Sequence, residues 1–279
     1  MAGRMNDILT GSYALPRLAL WPLSALRVVN WNIERGMRLA EVIDFLDSQR
    51  ADLLILQEVD LNARRTHFLN IAEEIARKLQ MNYVFGREFQ ELTQGPPASP
   101  AYHGQATLSR WTLCNPRLIR FRHQSDFWRP RWFLPQISLF QERLGGRIAL
   151  VTEVRMQRKR LAVYNLHLES KGDENLRLAQ LEEAIGDAAA HTQEIPALLA
   201  GDLNFDVSHA VPAGPLHQVG FRSALELPSP RTTTARGLFR RPRTIDWAYV
   251  SGPVEPIQGR VHDRVQASDH YPISFTLKL

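Results

Sequence analysis

Apolar residues along the chain follow two patterns, short continuous runs and helical spacings. Residues 53–56 (LLIL) form a continuous run, which is typical of a strand buried on both faces. Leu39, Val42, Ile43 and Leu46 recur at intervals of three and four residues, which predicts an amphipathic helix that ends near Gln49. Both patterns recur along the chain, so the sequence predicts an α/β protein.

The same criteria place the remaining elements. Helices are predicted at 39–49, 68–79 and 176–189. Strands are predicted at 26–32, 53–58, 81–86, 105–109, 117–121, 148–154, 161–167, 197–202, 244–250 and 272–277. Residues 91–104, rich in Pro, Gly and Ser, are predicted to form a loop. There is no internal repeat, low-complexity segment or long linker, so we expect a single domain at 26–279 behind an N-terminal arm at 1–25.

The N-terminal arm contains apolar residues but no clear targeting signal. Pro16, Arg17 and Pro22 interrupt its apolar stretch, so we expect no transmembrane segment. Asp7 and Arg17 also spoil the pattern of a secretory signal. We expect the arm to pack on the domain or to be loosely ordered, and cytoplasmic residence is the default expectation.

Composition narrows the chemistry and the partners. The single cysteine, Cys114, excludes an internal disulfide framework and a cysteine-based zinc site. The formal net charge of +5 and the sequence pI near 9.6 favour anionic partners. These partners include phosphates, nucleic acid and acidic lipid, and the net charge does not distinguish among them.

Polar side chains stand where the apolar runs stop. The run at 197–200 breaks at Gly201, and Asp202 and Asn204 follow at once. Taken alone, such a stretch is more often a turn in which Asp and Asn bond their own backbone. Polar residues flank the other predicted strands too, and the full set is Asn32, Glu58, His167, Asp202, Asn204, Asp246, Asp269 and His270. Since ligands bind at strand ends in open α/β sheets, we expect these residues to form one site.

The predicted site is rich in hard oxygen donors. Asp, Glu and Asn side chains suit Mg²⁺, with Mn²⁺ as a substitute, because these ions bind a few carboxylates together with substrate phosphate. Two histidines without cysteine partners would suit zinc, but the oxygen donors outnumber them. Magnesium is therefore the predicted ion.

Six short motifs occur in a fixed order and carry a family resemblance. They are 31–34 (WNIE), 56–59 (LQEV), 165–167 (NLH), 201–204 (GDLN), 245–247 (IDW) and 268–270 (SDH). With these motifs the chain resembles the endonuclease/exonuclease/phosphatase superfamily over residues 26–279. The resemblance implies the DNase I-like fold, a four-layered sandwich of two packed mixed β-sheets flanked by helices. Periodicity alone does not distinguish this fold from a doubly wound parallel sheet.

The resemblance also implies roles for the motif residues. Glu58, with Asn32 and Asp269, would bind the metal. Asp202 and Asn204 would position the attacking water, with Asp202 as general base, and they are also candidates for a second metal. His270 would contact the phosphate while Asp246 holds it in its protonated form. His167 would bind the phosphate or help to protonate the leaving oxygen, and Glu34 is left open as a metal or solvent-facing residue.

Two positions depart from the family pattern. Gln105 stands where many relatives have Asn, so its hydrogen bonds are left open. His167 stands where abasic-site endonucleases usually carry Tyr, which favours the DNase I and sphingomyelinase branches.

Two segments combine arginine with aromatic or flexible sequence, 127–133 (FWRPRWF) and 231–243. The candidate substrate-binding residues are Trp128, Arg129, Arg131, Trp132, Arg240, Arg241 and Arg243. Such a mixture suits a nucleic-acid groove, where arginine meets phosphate and rings stack on bases. It equally suits a membrane interface, or buried tryptophans beside a solvated arginine face.

Three hypotheses follow from these observations. The first is a metal-dependent nuclease or DNA-processing phosphodiesterase, which we favour and expect to act as a monomer. The second is a phosphatase or sphingomyelinase-like phosphodiesterase that acts on lipid headgroups or small phosphate esters, with peripheral membrane contact. The third, a non-catalytic binding module with the same fold, is disfavoured because every catalytic residue type is retained.

Overall fold

The computed structural model of the protein describes residues 7–16, 24–96, 98–131, 133, 142–191, 195–206, 216, 218–225, 232–235 and 241–279. The helices are α1 (Leu39–Gln49), α2 (Ile71–Leu79) and α3 (Glu174–His191). The first seven strands are β1 (Ile8–Gly11), β2 (Ala25–Arg35), β3 (Leu53–Leu61), β4 (Asn82–Glu91), β5 (Ala101–Ser109), β6 (Thr112–Arg120) and β7 (Arg143–Gly145). The others are β8 (Ile148–Met156), β9 (Lys159–His167), β10 (Ala197–Asp202), β11 (Arg222–Ser223), β12 (Asp246–Val250), β13 (Glu255–Val261) and β14 (Ile273–Lys278). Short 3-10 helices lie at Arg64–Thr66 and Asp126–Trp128.

The strands form two mixed sheets. Sheet A has the order β1-β4-β5-β3-β2-β14-β13, and β7 also pairs with β4. Sheet B has the order β11-β12-β10-β9-β8-β6. Parallel pairs, β2 with β3 and β9 with β10, lie at the centre of the two sheets.

Successive side chains of a central strand point to opposite faces of its sheet, and this alternation produces the layers. Leu26 and Val28 of β2 pack with Leu198 of β10 in the core between the sheets. Val29 and Trp31 of the same strand face the opposite way and pack against α1 and α2. On the far side, buried residues of α3 cover sheet B. The order helices, sheet A, sheet B, helix confirms the four-layered sandwich.

Several predicted boundaries are corrected. Phe68 lies outside α2 and is exposed, because the helix begins after the Asn70 cap, whose side chain accepts a hydrogen bond from the Glu73 N–H. Residues 101–104 belong to β5 rather than to a loop, because they pair with β3 and β4. Part of the N-terminal arm, β1, forms an antiparallel edge strand against β4. None of the described helices is long and apolar enough to cross a membrane.

Gly201 is required by the close approach of β10 to β9. A Cβ atom at this position would lie 1.8 Å from the carbonyl oxygen of Leu166. We expect Gly201→Ala to lower the free energy of unfolding by about 2–3 kcal/mol, since the two backbones must move apart. Urea denaturation measures this loss.

Gly186→Ala is the matched control. Gly186 lies on α3, and apart from its chain neighbours and the backbone of its own helix no atom of the described residues lies within 4 Å of the point that an alanine methyl group would occupy. Alanine should therefore stabilise the helix by about 1 kcal/mol. Equal unfolding free energies for the two variants would contradict the packing argument.

Candidate active site

A cavity of about 1000 Å³ lies where the carboxyl ends of β2, β9 and β10 meet the middle of β3. The predicted site residues that line it are Glu58, His167, Asp202, Asn204, Asp269 and His270. Asn32 and Asp246 lie behind them and contact them through hydrogen bonds. The structure therefore brings the whole set of eight residues together.

Irregular backbone aims several of these side chains into the cavity. Glu58 has a φ of 51° and lies where the β3–β5 register shifts. Asn204 has a φ of 58°, and Glu34, at a φ of 46°, lies in a shift between β2 and β3. Left-handed conformations are uncommon outside glycine, and bulges redirect side chains. Four of the twelve described non-glycine residues with a positive φ, namely Glu34, Arg35, Glu58 and Asn204, line the cavity, where backbone strain can serve a functional site.

Asp202 is the hub of the polar contacts. Its Oδ1 accepts a hydrogen bond from the Asn204 N–H at 2.9 Å, and its Oδ2 accepts one from Asn32 Nδ2 at 3.1 Å. The Nε2 atoms of His167 and His270 each lie 3.7 Å from the same Oδ2. Asp202 is only 2% exposed, so one buried carboxylate faces two imidazoles.

His270 is fixed by a second carboxylate. Its Nδ1 lies 2.8 Å from Asp246 Oδ2, and its backbone N–H bonds to Ser268 Oγ at 3.1 Å. Burial alone would lower the pKa of His270, but Asp246 and Asp202 raise that pKa to about 10. The imidazole is therefore positively charged at neutral pH and can donate a proton or hydrogen bond at Nε2.

His167 has a different partner. Its Nδ1 lies 2.8 Å from Arg147 Nη1, and the same guanidinium bonds to Glu88. Burial would raise the pKa of Glu88, but Arg147 and His167 lower that pKa to about 2. Glu88, His103 and His167 offer ligand atoms within 4.8 Å of one another. Because Arg147 already bonds two of the three, its guanidinium supplies the cation at that position.

Glu34 and Glu58, two further carboxylates that line the cavity, have pKa values that are shifted in opposite directions. Burial and the charges of Asp269 and Glu58 raise the pKa of Glu34. Glu58 itself remains ionised, since Arg35 and the nearby imidazoles lower its pKa against the effect of burial. A divalent cation among these oxygens would relieve their mutual repulsion, and Asp202, Asp246 and His270 also offer ligand atoms within 4.8 Å of one another.

Asn32 is turned differently from what a metal ligand requires. Its Nδ2, rather than its Oδ1, faces Glu58 at 3.4 Å and Asp202 at 3.1 Å, while Oδ1 accepts the Glu34 N–H at 3.2 Å. In this orientation Asn32 holds the two carboxylates in place by hydrogen bonding. Direct coordination would require the amide to rotate.

The predicted magnesium site has a consequence for stability that does not involve catalysis. Mg²⁺ at about 100 times its Kd should raise the free energy of unfolding by about 2.7 kcal/mol. Glu58→Gln should remove most of that gain, because it deletes the charge that faces the cavity. Thermal unfolding with Mg²⁺ and with EDTA measures both.

A carboxylate outside the cavity is the control for this prediction. Glu153 pairs with Asn115 and Arg160 in sheet B, so Glu153→Gln should keep the full Mg²⁺ response. An unchanged response in Glu58→Gln would exclude Glu58 as a ligand.

Gln105 has a structural contact. Its side chain donates to the Ile148 carbonyl at 2.9 Å and accepts the Leu150 N–H at 3.1 Å. The amide therefore ties β5 to the facing β8 of sheet B. It does not line the cavity.

The predicted substrate-binding residues divide into three groups. Arg241 and Arg243 line the cavity, as does Trp128, but Trp128 is buried and its indole N–H is donated to Glu169 Oε2 at 2.7 Å. Arg129 and Arg131 lie outside the cavity lining and pair with Asp126 and Glu142. Trp132 and Arg240 lie outside the described residues.

Sequence reasoning missed several cavity residues. The predicted loop at 91–104 includes His103, whereas a strand at 101–104 puts His103 two residues before Gln105, on the same face of β5. Arg147 immediately precedes β8, so the rule applied to the other strand ends could have found it. Phe127, which is 38% exposed at the rim, belongs to the 127–133 segment but not to the candidate binding residues predicted there.

Comparisons with solved structures show that other proteins share this fold. A structure of an endonuclease/exonuclease/phosphatase from Beutenbergia cavernae DSM 12333 has a TM-score of 0.65 and 18% identity, covering 92% of this chain and 72% of that one. TDP2 from Caenorhabditis elegans has a TM-score of 0.61 and 19% identity, covering 91% and 75%. ANGEL2, a 2',3'-cyclic phosphatase, has a TM-score of 0.66 and 14% identity, covering 92% and 95%.

At these identities the solved structures establish a shared fold. A search of curated proteins finds no significant match. The profile of the Endonuclease/Exonuclease/phosphatase family, however, matches residues 29–270. This match covers most of the chain and includes all eight predicted catalytic and metal-binding residues. The chain therefore belongs to the endonuclease/exonuclease/phosphatase family.

Proposed function

We propose that this phosphoester hydrolase is a divalent-metal-dependent phosphodiesterase whose substrate is nucleic acid. The observation that carries the proposal is the convergence of His167 Nε2 and His270 Nε2 on Asp202 Oδ2, at 3.7 Å each, in a cavity that Glu58 also lines. A base, a charged imidazole and a metal-binding carboxylate are the groups that phosphodiester hydrolysis requires.

In the proposed reaction, Asp202 accepts a proton from the water that attacks phosphorus, and the bond from phosphorus to the ester oxygen breaks. The imidazolium of His270 stabilises the charge that develops on a non-bridging oxygen. His167 hydrogen-bonds the phosphate or the leaving oxygen. Mg²⁺, held by Glu58 with Asp269, would supply Lewis-acid stabilisation of the same charge.

The charges around the cavity favour a polyanionic substrate. Six cationic side chains line it, namely Arg35, Arg143, Arg147, Lys171, Arg241 and Arg243. The lining acids are Glu34, Glu58, Asp202 and Asp269, so cations exceed acids in the lining itself, while Glu91 and Glu88 pair with Arg143 and Arg147 from behind it. Burial and repulsion from Arg35, Arg65 and Arg147 lower the pKa of Arg143 despite Glu91. A bound polyanion would relieve that repulsion, and the exposed ring of Phe127 offers a surface for a base.

A second candidate function is supported by apolar side chains near the rim. Phe127 and Leu144 are exposed, and β7, which contains Leu144, packs against the 3-10 helix of Phe127. Aromatic rings beside cations also suit a lipid–water interface. This candidate is a phosphodiesterase that acts on lipid headgroups.

A substrate panel distinguishes the two. It contains supercoiled and single-stranded DNA, RNA, an abasic duplex, an RNA with a 2',3'-cyclic phosphate end, inositol phosphates, sphingomyelin vesicles and bis(p-nitrophenyl) phosphate, each with Mg²⁺ and with EDTA. The cyclic phosphate is included because ANGEL2 is a 2',3'-cyclic phosphatase. Nucleic-acid cleavage that falls steeply with salt supports the proposal. Hydrolysis of vesicles alone favours the second candidate, and an inert enzyme across the panel contradicts both.

A further inference from the structure

His103 is a third imidazole in the cavity, and the proposed reaction does not use it. It lies on β5, opposite Asp60 of β3 on one side and Phe89 of β4 on the other. Since directly opposite residues share a face of the sheet, all three side chains meet. The side chain of His103 is 3% exposed yet lines the cavity.

Two contacts fix the orientation of this ring. Its Nδ1 lies 3.0 Å from Asp60 Oδ1, and its face stacks on Phe89 with ring centroids 4.7 Å apart. With Nδ1 engaged by a carboxylate, Nε2 projects from the opposite side of the ring. Among the described residues, no group forms a hydrogen bond with that Nε2, although one ring nitrogen lies within 4.8 Å of ligand atoms of Glu88 and His167.

The contact with Asp60 does not by itself explain a histidine here. Arg65 already binds both oxygens of Asp60, through Nε at 2.7 Å and Nη2 at 2.8 Å. Arg65 therefore fixes the orientation of Asp60 without His103, although its Nη2 also bonds Glu91 Oε1 at 2.9 Å. Nε2 of His103 is open to the cavity rather than enclosed in the core, so it is available to a ligand there.

The position of His103 differs from that of the other two imidazoles. The Nε2 atoms of His167 and His270 approach Asp202, whereas His103 lies on β5, on the other side of β3 from β2 and β14. Glu58, on β3, thus separates His103 from His270. The His103 side of the cavity also carries Trp128 and Phe127, since Phe89 packs against Trp128.

We propose that His103 is a further substrate-binding residue whose Nε2 contacts an oxygen of the phosphoester on the side of Glu58 away from His270. The proposal rests on the phosphodiesterase function proposed above. Asp60 acts behind His103 as a positioning residue, as Asp246 does behind His270. The pair is preformed, because Arg65 holds Asp60 and Phe89 holds the ring.

Two substitutions separate this role from a structural one. In His103→Asn the amide reaches only the position of Nδ1, so it preserves the bond to Asp60 and loses the contact at Nε2. In His103→Gln the amide reaches towards the position of Nε2. Substrate binding therefore predicts that Gln retains more function than Asn, whereas a structural role predicts the reverse order.

The first measurement is the Kd for inorganic phosphate in the presence of Mg²⁺, by calorimetry, with the melting temperature as the test of folding. We expect phosphate to bind about tenfold or more weakly to His103→Asn and less weakly than that to His103→Gln. The value of kcat/KM for bis(p-nitrophenyl) phosphate should follow the same order. Wild-type affinity in both variants, or better binding in Asn than in Gln, would overturn the proposal.

A second measurement needs no variant that folds. In the nitrogen NMR spectrum of the wild-type imidazoles, phosphate should shift the Nε2 signal of His103, and an unshifted signal would overturn the proposal. The two proposals can fail separately. If phosphate binding follows the predicted order while no substrate of the panel is hydrolysed, His103 is a phosphate ligand and the proposed function is wrong.

Discussion

Replacing Asp202 by asparagine is expected to lower kcat by about 10³-fold while leaving the fold intact. Asparagine is isosteric, so its Oδ1 can still accept the Asn204 N–H that lies 2.9 Å from Asp202 Oδ1. The variant loses the negative charge and the ability to take a proton from water. Single-turnover rates with bis(p-nitrophenyl) phosphate measure the loss of catalysis, and the melting temperature measures whether the fold is intact.

The control is the same chemical change at a carboxylate remote from the cavity. Asp187 accepts a hydrogen bond from Tyr164 at 2.8 Å and pairs with Arg117. Asp187→Asn should reduce stability and leave kcat unchanged. A kcat for Asp202→Asn within tenfold of the wild-type value would exclude Asp202 as the general base.

Several of the site residues that the sequence predicts lie at one end of a strand. The apolar run before Gly201 becomes β10, and Asp202 is its last residue. His167 likewise ends β9, and Asp246 begins β12. A change from apolar to polar residues is visible along the chain, so these positions can be found without knowing the sheet order.

The missed residues depend on contacts between distant strands. Asp60 and His103 are 43 residues apart and meet only because β3 pairs with β5. The bulges that aim Glu58 and Glu34 are likewise properties of strand pairing, and neither position carries the glycine that would mark a positive φ. Local pattern therefore predicts which strands carry chemistry but not how their side chains are directed.

Trp128 shows the same limit for the substrate-binding loops. Aromatic residues beside arginines indicate a binding surface, a membrane interface or buried tryptophan with equal force. In the structure Trp128 is buried, and Glu169 accepts its indole N–H, so the ring has no unpaired polar group. The Cζ atom of Arg147 lies 4.6 Å from the centroid of the ring. The ring thus supports Arg147 from behind, while its neighbour Phe127 is the one exposed at the rim.

Replacing Asp246 by asparagine is expected to shift the basic limb of the pH–rate profile towards lower pH by at least about one unit. The carboxamide can still accept a hydrogen bond from Nδ1 of His270, but it removes a charge that helps to raise the pKa of His270 to about 10. The imidazolium is then lost at a lower pH. Profiles of kcat/KM from pH 6 to 10 measure the shift; a shift of about one unit should lower the activity about twofold at pH 9, and a shift of about two units should lower it about tenfold.

Stability gives an independent check of the same interaction. Because the pKa of His270 is raised above its ordinary value of 6.5, the stabilisation from its charge is fully present below pH 6.5 and is lost as the pH rises towards 10. The difference in unfolding free energy between wild type and Asp246→Asn should therefore be largest below pH 6.5 and shrink at high pH. A pH-independent difference, or an unmoved basic limb, would show that Asp246 orients His270 without controlling its charge.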